Sequence, residues 1–143
     1  MFLGTHSPRL DDKGRLVLPA RFRDDLADGL VLTKGQDRSV VVWPVREFSD
    51  YASRIQEASR TDARARAYSR VLFSAASDEV PDKQGRISIP VALREYAGLE
   101  RECIVVGNHS TIEIWNPQSW EAYLADQEPG FADLTSEVVP GLF

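Results

Sequence analysis

The sequence of 143 residues contains one cysteine, Cys103, and two histidines, His6 and His109. A single thiol excludes an intramolecular disulfide and any multi-cysteine metal site, and the two histidines lack zinc-ligand spacing. No apolar stretch nears the roughly 18–20 residues that span a bilayer. The opening Met1-Phe2-Leu3-Gly4-Thr5-His6 has neither the basic start nor the apolar run of a signal peptide, which predicts a cytoplasmic protein with no membrane partner. Gly4, Gly14 and Gly35 fit neither the Walker nor the dinucleotide pattern, so no cofactor or small-molecule ligand is implied. Lysine and arginine are missing from residues 121–143, where Glu121, Asp126, Glu128, Asp133 and Glu137 leave an acidic tail.

What is present is ordinary globular material: 43% hydrophobic and 27% charged residues in about one domain's length. The net charge of −5 argues against a nucleic-acid partner only until it is placed along the chain. With the five tail acids set aside, residues 1–120 carry seventeen basic and seventeen acidic side chains. Within them Arg9, Lys13, Arg15, Arg21 and Arg23 face only Asp11 and Asp12, a local +3. Attraction to phosphate depends on such patches and on how many copies act together.

The chain repeats itself. Asp11-Asp12-Lys13-Gly14-Arg15-Leu16-Val17-Leu18-Pro19 aligns, 71 positions on, with Asp82-Lys83-Gln84-Gly85-Arg86-Ile87-Ser88-Ile89-Pro90, and Arg23 with Arg94. Both copies read D-x-x-G-R-φ-x-φ-P, where φ is aliphatic. One inserted residue later, Gly35 meets Gly107, Val40 and Val42 meet Ile112 and Ile114, and Trp43, Phe48 and Tyr51 meet Trp115, Trp120 and Tyr123.

Each copy predicts the same elements. Leu16-Val17-Leu18 and Ile87-Ser88-Ile89 alternate as short strands, and Pro19 and Pro90 open short helices, the second with Leu93, Tyr96 and Ala97 inward and Gly98 as its stop. Hairpins follow, Val31–Thr33 to Val40–Trp43 and Ile104–Val106 to Ile112–Trp115, turning at Gly35 and Gly107. Asn116-Pro117 reads as an N-cap with proline at the first helical position, and Pro44 is placed the same way; the helices carry Phe48, Tyr51, Ala52, Ile55 and Trp120, Tyr123, Leu124. Between the copies, a helix capped by Ser59 or Thr61 runs to about Phe73 with Ala63, Ala67, Val71 and Leu72 inward. After Asp126, Glu128-Pro129-Gly130-Phe131 breaks the last helix. The divisions are a first unit over 1–57, a connecting helix over 58–74, a second unit over 75–126 and an acidic tail over 127–143.

The repeated turn is the candidate site. Gly14 and Gly85 suit a left-handed backbone that would cost other residues about 1–2 kcal/mol, and Asp11 and Asp82 can accept turn N–H groups. That chemistry needs the aspartate and the glycine, but it does not need Arg15 and Arg86. An arginine at the base of a tight turn, oriented by an aspartate four residues earlier, is a rigid bidentate donor for guanine O6/N7 or for phosphate. Lys13 and Lys83, at non-equivalent positions of the repeat, are candidate phosphate contacts.

These residues resemble the MraZ family, built from two units of the AbrB and SpoVT swapped-hairpin type. The resemblance runs from about Phe2 to Leu124 and is carried by Phe2-Leu3-Gly4-Thr5, Pro8-Arg9-Leu10, both D-x-x-G-R-φ-x-φ-P segments, Ala20-Arg21-Phe22-Arg23, Leu32-Thr33-Lys34-Gly35, Arg70-x-Leu72-Phe73 and Glu113-Ile114-Trp115. It implies an α+β fold: a small mixed barrel from two pseudo-repeated units with flanking helices. It also implies a ring-shaped homo-oligomer that regulates transcription, binding double-stranded DNA at short direct repeats in the promoter of the cell-division and cell-wall gene cluster, and so a nucleoid-associated protein. The family's DNA-contacting arginines fall on Arg15 and Arg86. Asp12 stands where the second copy has Lys83, which leaves open whether both turns read DNA equally.

Other features have plainer readings. Cys103 and His109 lack an orienting third group, and Cys103-Ile104-Val105-Val106 looks like a buried strand. No catalytic constellation supports an enzyme. Arg54, Arg60, Arg64, Arg66 and Arg70 against Glu57 and Asp62 give +3 over residues 54–70, a solvated face or one that meets a neighbour's acidic tail. Trp43, Trp115 and Trp120 suit packing better than base stacking. The rival to DNA binding is a protein-binding module of the antitoxin type, which would show no dependence on DNA sequence.

Overall fold

Both copies of the repeat start with a strand too short to stand alone, and each completes itself with the other copy. A computed structural model describes residues 1–142. Its strands are β1 (Thr5–His6), β2 (Arg15–Val17), β3 (Leu30–Lys34) and β4 (Val40–Pro44), then, after helices α1 (Val45–Ser59) and α2 (Ala63–Ser74), β5 (Ser77–Glu79) and β6 (Arg86–Ser88). Helix α3 (Val91–Ala97), strands β7 (Ile104–Asn108) and β8 (Thr111–Trp115) and helix α4 (Pro117–Ala132) complete the second unit. Where α3 follows Pro90, the first unit has only two 3-10 turns, Ala20–Phe22 and Asp24–Leu26, after Pro19.

The six-stranded sheet has the order β1-β7-β8-β4-β3-β5, and every neighbouring pair is antiparallel. That order places a first-unit strand beside the second unit's hairpin, and a second-unit strand beside the first unit's hairpin. The two units are therefore exchanged about a pseudo-dyad between β8 and β4. A separate two-stranded ribbon pairs β2 with β6: Arg15 opposite Ser88, Leu16 opposite Ile87, Val17 opposite Arg86. At its ends Leu18 N–H donates to the Gly85 carbonyl (2.8 Å) and Ile89 N–H to the Gly14 carbonyl (2.9 Å). Side chains alternate across a strand, so Leu16 and Ile87 turn inward, fully buried, and Arg15, Val17, Arg86 and Ser88 share the outer face.

One hydrophobic core joins Leu16, Leu18, Phe22, Leu30, Leu32, Ile87, Leu93, Val105, Ile112 and Ile114 from both units. Each buried aliphatic side chain contributes about 1.5–3 kcal/mol of burial, and the shared core draws on both units. The α+β fold with two pseudo-repeated, interlocked units and flanking helices is as the resemblance implies.

Five local expectations are corrected. Gly107 lies inside β7, opposite Ile112, and the turn is Asn108–Thr111 with His109 at φ 67°. Glycine is needed at 107 because the amino-terminal strand crosses there: a Cβ would sit 2.5 Å from the Leu3 nitrogen. Asp62, and neither Ser59 nor Thr61, caps α2, accepting from Arg64 N–H (2.8 Å). That helix turns Tyr68 and Leu72 inward but leaves Ala63, Ala67 and Val71 in solvent, because α1 covers its opposite side. Pro44 is the last residue of β4 and α1 begins at Val45. Finally, α4 passes through Pro129 to Ala132: proline removes one donor but holds φ near the helical value, and this last turn is exposed on all sides. At Asn116 the expected cap is present, its side chain accepting from Ser119 N–H with Pro117 as the first helical residue.

Candidate nucleic-acid interface

Both D-x-x-G-R turns close in the same way. Asp11 Oδ1 accepts from the N–H groups of Lys13 (2.9 Å) and Arg15 (2.8 Å), and its Oδ2 accepts from Arg15 Nε (2.7 Å). Asp82 Oδ1 accepts from Gln84 and Arg86 N–H groups (both 2.9 Å) and its Oδ2 from Arg86 Nε (2.7 Å). Gly14 and Gly85 have φ of 75° and 78°, the left-handed geometry that the turn requires. The Arg15 N–H, with its guanidinium and the Lys13 N–H, holds the Asp11 carboxyl below its ordinary pKa, against a partial opposing desolvation. The Arg86 N–H and guanidinium do the same for Asp82.

Each guanidinium is thus anchored through Nε, and the terminal nitrogens of Arg15 and Arg86 make no hydrogen bond among the described residues. The side chains are 29% and 31% exposed. Their Cα positions are diagonal on the outer face of the ribbon, about 7–8 Å apart by strand geometry. This position depends on pairing between the units, so the sequence alone placed both arginines at turns without placing them side by side.

Two further arginines belong to the site. Arg23 Nε donates to the Leu18 carbonyl (3.0 Å) and lies over Gly85; Arg94 Nε donates to the Ile89 carbonyl (2.9 Å) and lies over Gly14. Each braces the opposite unit's turn. The signal for them was already in the repeat, since Arg23 and Arg94 match at the same offset of 71 as the two turns, but their role depends on the strand exchange.

The electrostatics favour fixed hydrogen bonding over long-range attraction. A carboxylate 2.7 Å from each Nε cancels most of that arginine's distant field. Lys13 and Lys83 are exposed at the turn tips with no acidic partner among the described residues, whereas Asp12 is 3.7 Å from Arg101. The tips therefore carry unequal charge.

Other candidates separate from this face. Cys103 is buried in the core, burial chiefly and Glu102 secondarily pushing its thiol up to about 11, and His109 lies beyond the far end of β7. The tryptophans pack in two matched triads: Trp43 with Phe48 and Tyr51, and Trp115 with Trp120 and Tyr123. No helix of the described residues is long and apolar enough to cross a membrane.

Two interlocked copies of a turn, ribbon and hairpin, exchanging strands within one chain and presenting twinned Asp–Arg turns on one face, define an internally duplicated swapped-hairpin protein. Comparison with known proteins names the family. The model described as "MraZ protein, putative antitoxin-like" matches residues 1–71 and 72–139, and the chain belongs to the MraZ family. It is 58% identical over 142 residues to a protein named Transcriptional regulator MraZ from Salinispora tropica, covering 99% of this chain and all of the relative. Relatives of the same name from Frankia alni (56%, 99% of each chain) and Clavibacter michiganensis (56%, all of both chains) are similarly close.

Proposed function

We propose that this chain is a sequence-specific, DNA-binding transcriptional regulator that inserts the β2–β6 ribbon into the major groove. The observation that carries the reading is the common outward face of Arg15 and Arg86, each held at Nε with its terminal nitrogens free. The major groove is about 12 Å wide and admits a two-stranded ribbon. Both side chains lie on the same face of the ribbon, so each guanidinium can meet its own guanine edge. Lys13 and Lys83 contact phosphates on either side, and Asp11, Gly14, Asp82 and Gly85 set the geometry. The names of the relatives support the regulatory role.

Charge cancellation at the turns makes one chain a weak binder, so the protein acts as a homo-oligomer, in a ring, on short direct repeats of a promoter, that of the cell-division and cell-wall gene cluster. Simultaneous engagement raises affinity by a factor of about 10² or more. The protein then resides in the cytoplasm, on the nucleoid. A bidentate arginine–guanine pair is worth about 1–3 kcal/mol, so Arg15→Ala or Arg86→Ala lowers affinity roughly 5- to 150-fold per repeat. Fluorescence anisotropy on the upstream repeats and on a scrambled duplex tests this at two salt concentrations. Unchanged binding by both variants, or equal binding to the scrambled duplex, rejects the assignment and leaves the protein-binding alternative.

A further inference from the structure

The repeat keeps arginine on the outer face of the β2–β6 ribbon in both copies and varies the one other position that shares that face. In D-x-x-G-R-φ-x-φ-P the x between the aliphatic residues is Val17 in the first copy and Ser88 in the second. The Leu18 and Ile89 N–H groups close the ribbon's ends on the Gly85 and Gly14 carbonyls, so Leu16–Ile87 is a hydrogen-bonded pair and Val17–Arg86 and Arg15–Ser88 are the closer pairs without mutual hydrogen bonds. Each arginine therefore stands directly beside one variable side chain, with Cβ atoms about 4.5–5.5 Å apart. Val17 is 43% exposed and is the one apolar side chain among the four on this face. Ser88 is exposed too, and Glu79 accepts from its N–H with both carboxylate oxygens (2.8 and 3.0 Å), at a position where the first copy has Pro8. A ribbon with a pseudo-twofold backbone thus has two chemically different ends.

We propose that Val17 is a specificity-determining residue that reads the C5-methyl group of a thymine next to the guanine met by Arg86, while Ser88 leaves the dyad-related step beside Arg15 without that preference. The inference deepens the DNA-binding reading above and rests on it. The thymine methyl is an apolar group displayed in the major groove, and an aliphatic side chain matches it where a hydroxyl does not. Valine is stiff at χ1, so little rotamer freedom is lost on contact. Removing one methyl group from water in this way raises affinity about three- to fivefold per repeat. The site of one chain is therefore not a palindrome, although the backbone that reads it is close to twofold.

Anisotropy of the full chain on the upstream repeats tests this, with every repeat altered alike. 7-Deazaguanine, which lacks the N7 acceptor, replaces each guanine in turn; the one whose replacement weakens wild type but not Arg86→Ala is the guanine that Arg86 reads, and Arg15→Ala identifies the other. Replacing the thymine beside the Arg86 guanine by deoxyuridine removes only its methyl group and weakens wild-type binding about three- to fivefold per repeat, whereas Val17→Ser protein binds both duplexes equally. A thymine introduced beside the Arg15 guanine leaves wild type unchanged and strengthens binding by Ser88→Val protein by the same factor. A Val17 that merely packed on the Arg86 stem would give no difference between thymine and deoxyuridine in wild type. That result, the lack of a thymine at the step, or a methyl preference that survives Val17→Ser overturns the inference and leaves the DNA-binding reading standing. If no guanine replacement is felt through Arg15 or Arg86, the DNA-binding reading itself falls.

Discussion

Gly85→Ala separates the backbone requirement of the turn from the packing of its brace. At φ 78° an L-residue costs about 1–2 kcal/mol. The new Cβ would lie 2.5 Å from Arg23 Nε, so the guanidinium must retreat and give up its 3.0 Å hydrogen bond to the Leu18 carbonyl. That adds about 0.5–1.5 kcal/mol, and the lower freedom of alanine in the unfolded chain returns roughly 0.4–1 kcal/mol. The expected net loss is about 0.5–3 kcal/mol, or roughly 1–12 °C in Tm for a chain of this length. Urea titrations at one fixed protein concentration measure it. In an Arg23→Ala background the same substitution costs only its backbone part, so the two changes couple by about 1 kcal/mol. Gly14→Ala, whose nearest Arg94 atom would be 2.9 Å away, loses less through packing. A Gly85→Ala protein as stable as wild type, or an equal cost in both backgrounds, refutes the bracing argument.

Two other outcomes follow from the same geometry. Because Asp11 and Asp82 have lowered pKa values in the fold, their contribution to stability is present above the ordinary carboxylate pKa and is lost only as the pH falls through the folded values. Asp82→Asn, which puts a neutral amide where the carboxylate accepts from Gln84 N–H, Arg86 N–H and Arg86 Nε, therefore lowers the melting temperature as well as weakening DNA binding at pH 7, and wild-type binding in anisotropy stays flat in its dependence on these two groups from pH 5 to 8. Cys103, buried and with its thiol pushed up to about 11, resists iodoacetamide at pH 8 in the native protein and reacts in urea, as read by mass spectrometry.

The sequence disclosed what is local. Asp11 and Asp82 close their turns with atoms two and four residues away, and the left-handed glycines follow from the same short-range sterics. Alternation at Leu16 and Ile87 correctly assigned an inner face to strands whose partners were still unknown. The β2–β6 pairing joins positions 71 residues apart in the repeat and is decided by burial in a shared core, which no local pattern encodes. Helix α2 misled for a related reason: its small and apolar residues lie on both faces, and only the position of α1 determines that Leu72 is inside and Val71 outside. Gly107 looked like a turn because its need for a missing side chain arises from Leu3, a hundred residues earlier.

The exchange of β1 and β5 between the units also constrains how the protein comes into being. During synthesis the first half emerges with its edge strand and its ribbon strand unpaired, and it must wait for β6 and β7 before either finds a partner. A chain ended before the second half therefore leaves β1 and β2 of the first half without the strands that complete them.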